Sequence, residues 1–342
     1  MSRNQQLATD WWHLVAHEVE LGAPGDWVRF DWPLGELVVF NDEGALLAFD
    51  NVCPHRGGRF FDGAAGQGAA VCPYHAWRIR NGQVKAAQAA RFNACDLERA
   101  TINRFQVQRL GPWVFVGVEP RQSLAAQLGD VAAPLMALGR DMDRRVDLAA
   151  ETWACDWRVA VENALESYHV APIHGTSLAT LGLTNERWSL AGANCDYTAE
   201  VGASRAARGL QAMGRFFEAP NGAPGYRSIH VFPFAMVSST FGYSSALQTF
   251  MPGEGGDTRF TTRMLGARRI AGMEAPADAF LASSARMNRQ VFEEDRAICE
   301  RVSRRYDLDA AYRIFADNEG RVAHFTDTLR SLAAAPAERR RA

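Results

Sequence analysis

Two carboxylates, one amide and two imidazoles fall within the stretch Glu162-Asn-Ala-Leu-Glu-Ser-Tyr-His-Val-Ala-Pro-Ile-His174. On a helical projection at about 100° per residue, Glu162, Glu166 and His169 share a narrow arc, with Asn163 just beyond its margin. Val161, Leu165 and Tyr168 form a separate packing stripe. Pro172 ends or bends that helix and lets His174 return beside His169. Two neutral imidazoles presented in this way are ligands for iron, zinc or copper. With one carboxylate and open positions, they make the set used for non-haem Fe(II) oxygen chemistry. Taken alone, the stretch is equally compatible with a core helix carrying two satisfied histidines.

A second constellation lies upstream. Cys53-Pro-His55 and Cys72-Pro-Tyr-His75 are separated by sixteen residues. Two Cys and two His in mixed pairs match the ligand set of a Rieske [2Fe–2S] cluster, in which thiolates hold one iron and imidazoles the other. A structural Cys₂His₂ zinc site is the alternative, but such sites pair Cys with Cys and His with His. The flanking Pro and Gly residues suit tight loops whose backbone N–H groups point at sulfur and tune the cluster.

Together the two constellations resemble the catalytic subunit of Rieske non-haem iron oxygenases, the aromatic-ring-hydroxylating oxygenase family, over nearly the whole chain. The resemblance implies an α+β protein: a small all-β Rieske domain followed by a helix-grip domain, in which an antiparallel sheet packs against helices. It assigns Cys53, His55, Cys72 and His75 to the cluster. The segment Asn163-x₄-Tyr168-His169-x₄-His174 supplies two ligands to a mononuclear Fe(II), with Asn163 near the iron. Glu166 falls where the family places an acidic residue bridging His169 to a cluster histidine of a neighbouring subunit. Most members have Asp there, and Glu resembles a subset that includes oxygenases of quaternary amines. Respiratory Rieske proteins carry an extra disulfide near the positions held here by Gly58 and Tyr74, so the chain resembles the oxygenase type. One departure is Ala76, where the family usually has Gly.

These sites need elements to hold them. Trp27–Phe30, Glu36–Phe40, Ala45–Phe49, Trp77–Arg80, Gln83–Lys85, Phe105–Gln108 and Trp113–Val118 are expected strands, with hairpin turns at Asn41–Gly44 and Asn81-Gly82. Residues 1–120 are therefore expected to form the Rieske domain, 121–150 a linker with short helical pieces and a solvated charge cluster at Arg140–Arg145, and 151–342 the catalytic domain. Within the last, Glu151–Val159 is expected as a strand running into the central helix. Further strands are expected at Asn194–Val201, Arg227–Ser238, Leu247–Met251 and Arg259–Leu265. Residues 285–304 read as a helix whose apolar face carries Met287, Val291, Phe292, Ile298, Cys299 and Val302, with Asp295 at its centre. A carboxylate there is costly unless paired or metal-bound. The family takes its third iron ligand from such a late helix. Asp295 is therefore the expected ligand and Glu294 the fallback. Phe232, Phe234, Met236, Phe241 and Tyr243 are candidate pocket residues, and 203–225 a candidate lid. His230 and His324 have no partner in the pattern and read as structural. The tail from Ala333 is expected to fray.

Net charge is −2 and no basic cluster stands out, so a nucleic-acid partner is not expected. No apolar run could span a bilayer and no apolar signal core opens the chain, which leads to an expected cytoplasmic location and cysteines outside disulfides. The resemblance implies electrons from NAD(P)H through a reductase, with or without a ferredoxin, O₂ as co-substrate and a homotrimer. The expected reaction is hydroxylation or oxidative demethylation of a small organic substrate, an aromatic acid or ether first and a quaternary amine next. Aromatic cis-dihydroxylation is the alternative. A non-catalytic Rieske electron carrier and a zinc-stabilised binding module are the competing classes.

Overall fold

The computed structural model describes residues 1–334; the tail expected to fray lies outside the described residues from residue 335 onward. Residues Asn4–Arg121 form one compact unit, and Gln122 onward, with Met1–Arg3, a second.

The first unit contains α1 (Arg3–Asp10), β1 (Trp12–His17), β2 (Asp26–Trp32), β3 (Gly35–Asp42), β4 (Ala45–Asp50), β5 (Ala65–Gln67), β6 (Arg78–Arg80), β7 (Gln83–Lys85), α2 (Ala94–Arg99), β8 (Arg104–Leu110) and β9 (Trp113–Gly117). Seven strands form one antiparallel sheet in the order β1-β9-β8-β4-β3-β2-β5, and β6 and β7 a separate hairpin. Both expected turns have two successive residues in the left-handed region, Glu43-Gly44 and Asn81-Gly82. That conformation matches strand twist in two-residue hairpins. β1 was not anticipated, because all six of its residues are buried and no alternation marks it. Trp27, Phe49, Phe60, Phe61 and Trp77 form the core into which Cys53 and Cys72 are set.

The second unit contains α3 (Leu124–Leu128), α4 (Ala132–Arg140), β10 (Met142–Trp153), α5 (Trp157–Leu165), α6 (Val170–Ile173), β11 (Thr184–Ala191), β12 (Asn194–Glu200), α7 (Arg205–Ala212), β13 (Phe217–Glu218), β14 (Tyr226–Val231), β15 (Ala235–Thr240), β16 (Ser244–Pro252), β17 (Thr258–Arg269), α8 (Glu274–Cys299) and α9 (Gly320–Ala334). The sheet order is β10-β17-β16-β15-β14-β12-β11, with β13 paired to β17. Helix α8 packs on β10 and β17, and α5 packs on α8, α9 and β16. No helix of the described residues is long and apolar enough to cross a membrane.

Several expected boundaries shift for identifiable reasons. Residues 122–150, expected as a linker with short helical pieces, form the helices α3 and α4 and then most of β10, and are anchored in the second unit by buried Leu124, Leu128, Leu135 and Leu138. Asp141 in the expected solvated cluster is buried and accepts hydrogen bonds from the N–H and Nδ2 of Asn221 at 2.8 and 2.7 Å. Strand β10 ends at Trp153, and Val159 is helical, because Asp156 caps α5 by accepting from the Arg158 N–H at 2.9 Å. The expected strand 227–238 is split by a turn around Pro233, which has no N–H to donate to a ladder. Helix α8 starts earlier than expected; Pro276 lies in its first turn, where its missing N–H costs nothing. Met287 and Val302, assigned to the apolar face, are exposed.

The projection of 162–174 as one helix also fails. Helix α5 ends at Leu165, and Glu166 is extended. Glu162 therefore leaves the metal site and forms a two-pronged pair with Arg313, at 2.7 and 2.6 Å, between nearly buried side chains. Truncating one partner of such a pair leaves a buried charge alone. Glu162→Ala is expected to lower stability in chemical denaturation by about 3 kcal/mol, with metal content unchanged.

Candidate metal centres and substrate cavity

In the first unit, two loops carry the Cys and His residues, and they are built alike. In one, Gly57 N–H donates to the Cys53 carbonyl at 2.9 Å and Cys53 N–H to Gly58 at 2.8 Å. In the other, Ala76 N–H donates to Cys72 at 2.9 Å and Cys72 N–H to Trp77 at 2.7 Å. Each turn requires a left-handed residue at its fifth position: Gly57, with φ of 75°, and Ala76, with φ of 58°. Only the first has the residue type suited to it. Both cysteines are buried and free. The imidazoles of His55 and His75 lie edge to face with centroids 4.5 Å apart, and His55 stacks on Trp77.

This loop pair fits a cluster. Burial pushes the Cys53 thiol pKa up and Cys72 adds to that, while the backbone N–H groups of His55 and Arg56 act the other way. Nδ1 of His55 is buried and has no hydrogen-bond partner among the described residues. A Cβ at Gly58 would stand 2.9 Å from Cys72 Sγ, so the glycine keeps the sulfur approachable. The same Cβ would lie 3.5 Å from Tyr74 Cβ, the spacing of a disulfide, and neither position is Cys.

In the second unit the break after α5 builds the other centre. Glu166 accepts the His169 N–H at 3.0 Å and also contacts His169 Nδ1, so one carboxylate fixes both the turn and the ring. Pro172 sits in the short helix α6, after which His174 follows and is buried. Nδ1 of His174 lies 2.7 Å from Glu294 Oε2, which also accepts from Ser177 Oγ at 2.5 Å, while Gln290 donates to Glu294 Oε1 at 2.9 Å. Glu294, the fallback ligand, thus faces the outer nitrogen of His174, and Asp295 faces the inner one.

When both rings are neutral and both Nδ1 atoms donate to carboxylates, both Nε2 atoms carry lone pairs. They are 3.2 Å apart, and Asp295 Oδ1 is 3.1 Å from His174 Nε2 and 3.5 Å from His169 Nε2. Three acceptors this close repel one another unless they share a cation. Neighbouring sites on an octahedral ion with bonds of about 2.1 Å lie about 3 Å apart, so the triangle matches one face of such an ion and leaves the opposite face open. His169, His174 and Asp295 could therefore hold a metal. Asn163 donates to Asp295 Oδ1 at 2.7 Å and fixes that carboxylate. Burial would lower the pKa of His169, but Asp295 and Glu166 outweigh it and raise it to about 9: the site attracts positive charge.

A cavity of about 550 Å³ opens beside these three residues, lined among others by Leu178, Tyr197, Met213, Tyr226, Phe280 and Phe292. Of the five candidate pocket residues only Met236 lines it. Phe232 and Phe234 are core, and Phe241 and Tyr243 are also outside its lining. Ala206, Gly209, Leu210 and Met213 of the candidate lid do line it. His230 is buried near the Pro233 carbonyl and His324 bonds to the Gly192 carbonyl, both away from the triangle. Sequence reasoning missed Ser177, the role of Glu294, and Arg321, which also lines the cavity.

The model of the ring hydroxylating alpha subunit catalytic domain matches residues 135–335, and that of the Rieske [2Fe-2S] domain residues 11–99. The chain belongs to the ring hydroxylating alpha subunit family, with a Rieske domain preceding its catalytic domain. It is 31% identical over 172 residues to the carnitine monooxygenase oxygenase subunit of Acinetobacter pittii, covering 48% of this chain and 46% of that protein. It is 31% identical over 182 residues to the glycine betaine monooxygenase oxygenase subunit of Chromohalobacter salexigens, covering 50% and 39%. The chain thus spans about half or less of the length of these curated relatives. A solved quaternary ammonium Rieske monooxygenase, described for carnitine oxidation by gut microbiota and inter-subunit electron transfer, shares the fold with a TM-score of 0.76 at 20% identity, over 97% of this chain and 91% of that one.

Two outcomes follow from the geometry. Ala76→Gly is expected to stabilise the first unit by about 1 kcal/mol, seen as a higher denaturant midpoint for loss of its visible absorption. Glu294→Gln is expected to weaken mononuclear metal binding about 10- to 100-fold, measured by metal titration.

Proposed function

We propose that this chain is the oxygenase component of a Rieske non-haem iron system. It would bind a [2Fe–2S] cluster through Cys53, His55, Cys72 and His75, and Fe(II) through His169, His174 and Asp295. The observation that carries the reading is the triangle of two imidazole lone pairs and one carboxylate oxygen at the edge of a cavity. The metals would supply electron transfer and O₂ chemistry, and the protein supplies position, tuning and exclusion of water. The net reaction inserts one oxygen atom of O₂ into a C–H bond and reduces the other to water, using two electrons and two protons. When the carbon is an N- or O-methyl group, the hydroxylated product loses formaldehyde, giving oxidative demethylation. NAD(P)H through a reductase, with or without a ferredoxin, is the proposed electron source.

Each side chain has a part in this reading. Glu166 and Glu294 hold the Nδ1 protons and keep both Nε2 atoms directed at the metal position. Asn163 holds Asp295 in register with them. Glu166 is also the proposed electron bridge to a cluster histidine of a neighbouring subunit in a homotrimer, on the strength of the family resemblance. The aromatic walls at Tyr197, Tyr226, Phe280 and Phe292 suit a flat ring or, through cation–π contact, a quaternary ammonium group. The two curated relatives are named for carnitine and for glycine betaine, which supports the second of these.

Anaerobically purified protein is expected to contain about three irons and two acid-labile sulfides per chain, with Rieske absorption. Two irons and two sulfides, unchanged after Fe(II) addition, would leave the electron-carrier reading in its place, and a colourless zinc protein would remove both. His169→Ala should keep the red-brown colour and lose the third iron. Glu166→Gln should keep the cluster, weaken Fe(II) binding about as Glu294→Gln does and, with Fe(II) restored to saturation, lose turnover at least 100-fold; normal turnover would refute the bridge.

A further inference from the structure

Cys155 and Cys299 are two buried thiols that the proposed chemistry does not use. Cys155 stands in the short bend between β10 and α5, and Cys299 is the last residue of α8, one turn after Asp295. Each is 2% exposed, and neither is in a disulfide. Two contacts put them side by side. Their side chains hydrogen-bond to each other. Their chain neighbours are joined as well, since the Ala154 N–H donates to Glu300 Oε1 at 2.9 Å. On its other side Cys155 Sγ lies 3.7 Å from Thr258 Oγ1, and the Thr258 hydroxyl donates to the Cys155 carbonyl at 2.8 Å. The bend and its thiol are thereby held between β17 and the end of α8.

The pair can be reached from outside. A second cavity, of about 190 Å³, is lined by Cys299 and also by Ile314, which is 94% exposed, so the cavity opens to solvent. Asn163 and Glu166 line this cavity as well as the larger one, so it backs onto the proposed iron centre. Its volume admits a molecule the size of hydrogen peroxide. Two thiols in contact also have what a lone buried thiol lacks. The hydrogen bond from Cys299 lowers the Cys155 pKa in spite of burial. In Cys195, which faces Arg321 rather than a second thiol, burial dominates and raises the pKa to about 11. The thiolate is the attacking form of sulfur, and a second sulfur beside it can displace the product.

We propose that Cys155 and Cys299 form a dithiol site that reduces hydrogen peroxide and becomes a disulfide. The Cys155 sulfur attacks one peroxide oxygen, the O–O bond breaks, and the departing oxygen takes up a proton and leaves as water. Cys155 is then a sulfenic acid. The Cys299 sulfur attacks the Cys155 sulfur, the S–S bond forms, the S–O bond breaks and a second water leaves. The two thiols have lost two electrons and two protons, and the peroxide has gained them. A small dithiol returns the pair to its reduced state by exchange. The inference rests on the proposed oxygenase reading only for the source of the peroxide, which forms when O₂ takes up two electrons and two protons and no substrate carbon is oxidised.

The test treats the metal-loaded full chain, with its cluster oxidised, with one equivalent of hydrogen peroxide, alkylates the remaining thiols and reads cross-linked peptides by mass spectrometry. A link between Cys155 and Cys299 is expected in at least half of the chains, with the Rieske absorption retained, the Cys195 thiol intact and the link reversed by dithiothreitol. A link in fewer chains overturns the proposal. Cys155→Ser is expected to consume peroxide at least fivefold more slowly than wild type, and an unchanged rate overturns the proposal. Cys299→Ser lacks the second sulfur and is expected to hold Cys155 as a sulfenic acid that dimedone labels; no label at Cys155 overturns the order of attack. Should either variant fail to fold, the link in wild type decides. The link in a chain that takes up no third iron would refute the oxygenase reading alone. Full iron without the link would refute this inference alone.

Discussion

The catalytic unit depends on one arrangement: each of two imidazoles is gripped at Nδ1 by a carboxylate, so that the two Nε2 lone pairs meet. Glu166 and Glu294 enforce it from opposite directions. The first is local, three residues from its histidine, in the extended turn that ends α5 at Leu165. The second comes from α8, more than a hundred residues later. Once both rings are fixed, Asp295, the next residue after Glu294 on α8, falls beside their inner nitrogens. Consecutive helical positions point about 100° apart. Here that divergence lets one residue reach the outer nitrogen of His174 and the next the inner one. The packing of α8 on α5 and on the sheet is therefore what makes the centre possible.

The Rieske unit solves its own problem with local means. Two copies of one turn present a thiol inside and an imidazole at the edge. Each turn closes within six residues, so the geometry depends little on distant contacts. The copies differ at the left-handed position, and Ala76 carries a methyl group where Gly57 carries none. The sequence departure at Ala76 thus has a physical address: strain in one turn rather than loss of a ligand.

That contrast explains how much could be read in advance. The Cys and His spacings, the hairpins and the strand-rich first unit were legible because the determining contacts are close in sequence. The helical projection of 162–174 brought Glu166 and His169 together correctly for the wrong reason. It assumed an unbroken helix, which would also have aligned Glu162. A carboxylate that accepts the N–H three residues on makes the same pair in a turn, and periodicity cannot distinguish the two. Glu162 faces Arg313 instead, a partner 151 residues away. The strands β1 and β11 were missed because burial on both sides, or exposure on both, erases alternation.

Asp295 was found by one physical signal: a charge in the middle of an apolar stripe. The same signal is present in α9 and was overlooked. Arg321, Phe325 and Leu329 recur at four-residue spacing and all are buried, so Arg321 occupies the head of the stripe by which α9 packs. An arginine could have been placed on the solvent face of that helix at no cost, with its charge hydrated. Its presence on the packed face, at the unfavourable end of the dipole and without an acid, costs folding free energy that the Tyr197 ring, 4.1 Å from the guanidinium, partly offsets. Asp295 carries a similar penalty, which a cation between the histidines removes.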